Sequence, residues 1–259
     1  MNDMSSSKVA EVTLTFWIMK ILATTLGETG GDALSMSLDL GYLVSTLIFG
    51  LLFVAAVTAQ IRARRFYPVL YWLTIIATTT VGTTLADFAD RSLGIGYAGG
   101  SGLLLLGLML SLMFWHASLG SIAVDTVTSP KAEAFYWVTI MFSQTLGTAL
   151  GDWTADSLGL GYLGAMITFS AMLVALLGLY RWTRISHVAL FWTAFVLTRP
   201  LGAVVGDFLD KPIDVGGLAL SRFAASAVLL VLMALFLAFS PQQAARKTPS
   251  KSAGGVIGL

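Results

Sequence analysis

Long apolar segments fill most of this chain, and polar residues interrupt them at recurring places. Eight segments can be read, at about 10–33, 41–60, 66–88, 97–115, 133–153, 161–180, 188–208 and 217–239. Each is close to the roughly 20 residues a helix needs to cross a bilayer core. The pattern therefore predicts an all-α, polytopic membrane protein with eight transmembrane helices.

The interruptions repeat. An aromatic–Trp pair recurs at Phe16-Trp17, Tyr71-Trp72, Tyr136-Trp137 and Phe191-Trp192. Ten residues after each Trp stands a glycine (Gly27, Gly82, Gly147, Gly202), and fifteen after stands an aspartate (Asp32, Asp87, Asp152, Asp207). Twenty-four after, glycine returns as Gly41, Gly96, Gly161 and Gly216. The chain thus reads as four two-helix units: repeat 1 over 10–60, repeat 2 over 66–115, repeat 3 over 133–180 and repeat 4 over 188–239. A central connection covers 116–132. Its extra length between repeats 2 and 3 fits a two-repeat unit that was duplicated. Each repeat crosses an even number of times, so all four point the same way, with pseudo-symmetry about the membrane normal.

Composition agrees with a membrane class: 56% hydrophobic, 11% charged, mean hydropathy +0.83, against about 25% charged in soluble chains. Cysteine is absent, which excludes thiolate chemistry and disulfides. A net charge of +1 gives no basis for a nucleic-acid partner. The first residues carry no basic run of the signal-peptide kind. The segment 241–259 is polar, basic and rich in small residues, and reads as a disordered tail. Ten of the 15 Lys and Arg, among them Arg62, Arg64, Arg65, Lys131, Arg181 and Arg184, lie at the termini or between repeats. The positive-inside rule then puts both termini in the cytoplasm, including the N-terminal segment 1–9, and the aspartates toward the outer face.

Residues three, four and seven apart share a helix face. Counted from each Trp, one face reads Thr25, Glu28, Asp32, Ser35 in repeat 1 and Thr80, Thr83, Asp87, Asp90 in repeat 2. Repeat 3 gives Thr145, Thr148, Asp152, Ala155, and repeat 4 gives Pro200, Ala203, Asp207, Asp210. An acid in hydrocarbon costs about 2.5–3.5 kcal/mol even on insertion scales, so these faces must turn to protein or water. The neighbouring face carries the small pairs Gly27/Gly31, Gly82/Ala86, Gly147/Gly151 and Gly202/Gly206. Such pairs let membrane helices pack closely. The four first helices are therefore expected to form an inner bundle inside a ring of plainer second helices.

Carboxylates with hydroxyls, and no Cys or intramembrane His, make a hard oxygen environment that suits Mg²⁺, Ca²⁺, Mn²⁺, Na⁺ or protons. The expected metal ligands are Glu28, Asp32, Asp87, Asp152 and Asp207. Thr25, Thr80, Thr83, Thr145, Thr148, Asp90 and Arg199 are expected along the substrate path. Arg199 should pair with Glu28 or Asp207, and Arg222 with Asp210 or Asp214. Lys20 should snorkel to the interface. Trp17, Trp72, Trp137 and Trp192 read as interface anchors. No catalytic motif is present, so no enzyme is expected.

The fourfold pattern with its Trp resembles a bacterial family of multi-pass membrane proteins built from four tandem two-helix repeats of unknown function, often labelled membrane-anchored proteins. The resemblance covers about residues 10–240. GETGGD (27–32) is also similar to the Glu-x-Gly-Asp motif of manganese/calcium exporters, with one residue inserted and without the Lys-Thr that follows. The expectation is a secondary transporter in the bacterial inner membrane, exporting a divalent cation of the Mn²⁺ or Mg²⁺ class against protons, with the lipid bilayer and the cation as partners and no permanently bound cofactor. A passive cation channel, or a carrier for a small organic or anionic solute held by Arg199 and the Trp rings, are the alternatives.

Overall fold

A computed structural model describes residues 7–245. Among them are eight α-helices: α1 (Leu14–Asp32), α2 (Gly41–Arg62), α3 (Pro68–Asp87), α4 (Tyr97–Leu119), α5 (Pro130–Asp152), α6 (Gly161–Trp182), α7 (His187–Asp210) and α8 (Arg222–Phe239). Local chemistry sets the starts. Thr13, Ser129, Ser186 and Ser221 each accept a backbone N–H of the first turn, and Pro68 and Pro130 open their helices. The cap at Thr13 starts α1 at Leu14 rather than near residue 10, and the cap at Ser221 delays α8 to Arg222. The glycine twenty-four residues after each Trp has positive φ in all four repeats (72°, 77°, 63° and 91°), which explains its recurrence.

Six of the eight helices are long and apolar enough to cross a membrane: α2, α3, α4, α6, α7 and α8. α1 and α5 are of similar length but carry more polar residues, among them Lys20, Glu28 and Asp32 in α1. The chain is a multi-pass membrane protein.

The first helices of the repeats form a closed ring: α1 packs on α3 and α7, and α5 packs on the same two. Each second helix lies against the first helix of the following repeat, α2 on α3, α4 on α5 and α6 on α7, and α8 returns to α1. The ring helices are largely buried, whereas the outer helices expose leucine, valine and phenylalanine.

Glycine makes the ring tight, and it does so by one rule. A Cβ on Gly27 would strike Thr79, one on Gly82 would lie 3.1 Å from the Gln144 backbone, one on Gly147 would strike Arg199, and one on Gly202 would strike Thr24. Each glycine ten after Trp therefore seats the residue seven after Trp of the next repeat. The small residue one turn later repeats the move: Gly31 meets Thr83, Gly151 meets Ala203 and Gly206 meets Glu28.

The Trp end is closed by aromatic rings and by three connecting segments. Trp72, Trp137 and Trp192 are buried inside the bundle with Phe16, Tyr71 and Tyr136. They do not sit on its rim, as interface anchors would; Trp17 is partly buried against the same cluster. The reason lies in their partners: Trp192 Nε1 donates to the Ile122 carbonyl at 3.0 Å, Trp72 Nε1 donates to Gln242 at 3.3 Å, and the Tyr71 and Tyr136 hydroxyls bond at 2.7 Å. Residues 241–245 are not a disordered tail. Ala244 bridges Ala10, and Ala245 N–H donates to Val9 at 2.8 Å. Lys8 caps the end of α2 through the carbonyls of Gln60, Ile61 and Ala63 and pairs with buried Glu133 at 2.5 Å. Residues 246–259, with Arg246, Lys247 and Lys251, lie outside the described residues, as do residues 1–6.

Gly82→Leu should separate α3 from α5, because the obstacle is Gln144 backbone rather than a movable side chain. We expect it to cost more than the about 1–3 kcal/mol of ordinary overpacking. The exposed Gly102→Leu, with open space at its Cβ, should be nearly neutral. Thermal unfolding in detergent checks the contrast.

Candidate functional site

The polar faces meet inside the ring, in levels. The lowest holds Lys20, Ile75, Ile140 and Phe195, three residues after each Trp and all buried. One turn on are Thr24, Thr79, Gln144 and Arg199. Another turn on are Glu28, Thr83, Thr148 and Ala203. Above them stand the four aspartates, each between 1% and 3% exposed.

Arg199 organises the level above its own. Its Nη2 donates to Thr83 and Thr148 at 2.6 Å each and to Glu28 Oε2 at 3.1 Å. Thr83 also donates to Glu28 at 3.3 Å. Repeat 4 has only Ala203 at that level, which leaves room for the guanidinium rising from the same helix. The expected Arg199–Glu28 pair is present.

The aspartates are tied in twos by two further cations, Lys211 and Arg91. Lys211 Nζ lies 2.5 Å from Asp32 and 3.1 Å from Asp207. Arg91 lies 2.9 Å from Asp87 and 3.2 Å from Asp152. The first pair joins repeats 4 and 1, the second repeats 2 and 3. Both cations stand four residues after their own aspartate, a helical spacing visible in the sequence; their reach to a second repeat was not. Repeats 1 and 3 have Met36 and Asp156 at that place, so the cations alternate around the ring. Arg222 pairs with Asp210 at 3.1 Å, as expected, and approaches Asp32 to 3.8 Å.

Backbone geometry carries the aspartates inside their helical rods. Asp32, Asp87 and Asp152 each end α-helical winding, and five residues of π-helix follow (Ala33–Ser37, Phe88–Ser92, Trp153–Ser157). In repeat 4, α7 simply continues to Asp210. Wider π turns often mark functional positions in helices.

Two groups of three buried carboxylates have ligand oxygens within 4.8 Å of one another: Glu28, Asp152 and Asp207, and Asp32, Asp207 and Asp210. Glu28 and the four aspartates carry five negative charges against three positive ones from Arg91, Arg199 and Lys211. Lys211 lies just beyond the end of α7. Burial alone would lower its amine, but Asp207, Asp32 and Asp210 around it raise it above the ordinary lysine range, so it stays an ammonium.

The other expected path residues are engaged within their own elements or with outer helices. Thr80 and Thr145 donate to carbonyls of their own helices, Ile76 at 2.8 Å and Met141 at 2.9 Å. Thr25 is buried in α1. Asp90 turns toward α4, against Gly100, rather than into the centre. Lys20 does not snorkel. It is fully buried, with Nζ 3.9 Å from the Phe195 ring centroid and no hydrogen-bond acceptor among the described residues. The aromatic closure of the Trp end bars its route to water.

The family model described as Repeat of Unknown Function (DUF347) matches four times, over residues 15–66, 70–120, 135–186 and 190–240. The chain belongs to the DUF347 family. Each DUF347 repeat supplies one ring helix, one outer helix and one of the four aspartates. No curated protein and no solved structure matches the chain.

Two substitutions separate charge pairing from packing. Arg199→Met strands Glu28 and should cost about 3–5 kcal/mol, whereas Arg199→Met with Glu28→Leu should recover most of that loss. Denaturant unfolding of the three proteins provides the comparison. Lys20→Met keeps the stem and removes an unpartnered polar group, so its melting temperature should equal or exceed that of wild type.

Proposed function

We propose that this protein is a secondary transporter for a divalent metal cation of the Mn²⁺ or Mg²⁺ class, exchanging it for protons. The observation that carries the reading is the meeting of Glu28, Asp152 and Asp207, from three different repeats, with oxygens within 4.8 Å of one another and buried from solvent. One oxygen of each is already engaged by a cation: Arg199 for Glu28, Arg91 for Asp152 and Lys211 for Asp207. Carboxylate oxygens and hydroxyls favour hard cations. The two negative charges in excess at the centre are balanced by one divalent ion or by two protons, which is the balance an exchanger needs.

In this reading all eight helices cross the membrane. α1 and α5 are screened from lipid by the outer helices, so their polar residues need not face hydrocarbon. The repeats are related by pseudo-symmetry about the membrane normal, with both termini and the Trp end in the cytoplasm of a bacterial inner membrane and the aspartate level toward the outside. Export is the proposed direction.

A specific observation favours a second reading, a carrier for a small anionic solute. Lys20 Nζ and the Nε and Nη1 of Arg199 are buried without acceptors among the described residues. Here Arg199→Leu should abolish binding of the solute while aspartate variants keep it.

The test is transport by full-length protein in liposomes loaded with a pH dye. Mn²⁺ or Mg²⁺ entry should move protons the other way, and Glu28→Gln and Asp152→Asn should each abolish the signal. Uptake that proceeds without proton movement would identify a passive channel instead. Unaltered exchange by both variants would remove the carboxylates from the mechanism.

A further inference from the structure

The second carboxylate group, Asp32, Asp207 and Asp210, already contains a cation of the protein's own. Lys211 Nζ sits 2.5 Å from Asp32 and 3.1 Å from Asp207, and its other contact there is the Met36 sulfur at 4.0 Å. These are the distances of charge-assisted hydrogen bonds, and the ammonium takes the place between the carboxylates that a metal cation would otherwise fill. Yet the ammonium does not exhaust the group. Asp32 Oδ1 and Asp210 Oδ1 are buried with no hydrogen-bond partner among the described residues. Oxygens in that state are costly to leave unpaired.

The tether of this ammonium differs from those of the other central cations. Arg199 lies in mid-helix, and Arg91 lies inside a helical turn. Lys211 lies past the end of α7, with extended backbone (φ −72°, ψ 155°), and leads into Pro212 and a short loop. That loop folds back, with Leu218 donating to Phe208, Leu220 to Leu209 and Ala219 to Lys211 itself. A lysine stem at the head of a loop can leave its carboxylates by side-chain rotation. Arg199, fully buried in mid-helix, cannot do so as readily.

We propose that Lys211 is a built-in competitor for the transported cation: its ammonium fills the Asp32/Asp207/Asp210 site, and a divalent cation enters by displacing it. This rests on the transport reading above and adds the step by which the site opens. Asp207 belongs to both carboxylate groups, so an ion that displaces Lys211 is already shared with Glu28 and Asp152. The charge arithmetic makes the exchange sensible. With Lys211 in place the three carboxylates face two fixed charges, Lys211 and Arg222; with Lys211 withdrawn they face Arg222 alone, and the two negative charges left over match a doubly charged ion.

A site open for a fraction of the time binds with an apparent affinity lowered by that fraction. Removing the competitor therefore raises affinity. The experiment is calorimetric titration of Mn²⁺ alone into purified full-length protein in detergent. Lys211→Met should bind at least about tenfold more tightly than wild type. Lys211→Gln, which keeps a polar end and spares folding, should shift in the same direction. Arg222→Met is the control, because it too removes one positive charge beside Asp32 and Asp210, yet leaves the ammonium seated; it should change affinity far less.

Equal affinity in wild type and both Lys211 variants overturns the competitor while leaving cation binding intact. An equal gain in Arg222→Met also overturns it, since bulk charge then explains the effect. Absence of Mn²⁺ binding in wild type and in every variant rejects the cation reading itself, and the competitor with it.

Discussion

The close approach of four ring helices is the constraint on which the other features depend. It is set where one helix offers glycine and the next offers a side chain that would otherwise collide with a Cβ. In lipid there is no hydrophobic drive between apolar helices, so short-range packing and hydrogen bonds must hold them together. Bringing α1, α3, α5 and α7 this close seals their polar faces from hydrocarbon. It also forces carboxylates from separate repeats into one another's range. Without the glycine contacts the aspartates would be four unrelated helix-end residues.

Crowding acids in this way creates a second requirement, compensation, and the protein meets it unevenly. Arg199 serves one level, and Arg91 and Lys211 serve another by joining repeats in alternate pairs. Packing therefore follows a fourfold rule, while the cations at the aspartate level follow a twofold one. The alternation agrees with the longer connection between repeats 2 and 3 as a trace of duplicated halves. It also gives the site direction within the ring, because the Lys211 side lies at a loop and the Arg91 side lies within a helical turn.

Much of this was legible in the sequence. Constant offsets from Trp identified the ring helices, the small-residue face and the aspartates, because those features are local and repeat in register. Glu28 with Arg199 was legible because each is a charge that the other repeats lack at the same offset from Trp. What could not be read were contacts between repeats. Arg91 and Lys211 look like ordinary loop cations until the ring places a second aspartate beside each. Lys20 and the Trp residues were misread for a common reason. Nearness to a helix end implies water or lipid only if that end is open, and here the segments at 7–12, 121–129 and 241–245 cover it. Thr80 and Thr145 show the limit of face counting, since a hydroxyl on the right face can still turn back to its own helix.

The return of α8 to α1, with the bridge between Ala10 and Ala244, has a topological consequence. The circle has no seam. Severing the link between any two repeats and splicing residue 7 to residue 245 through a short spacer would preserve every pairing of neighbouring helices, only renumbered. The order in which the units are written along the polypeptide is thus separable from the order in which they stand around the axis.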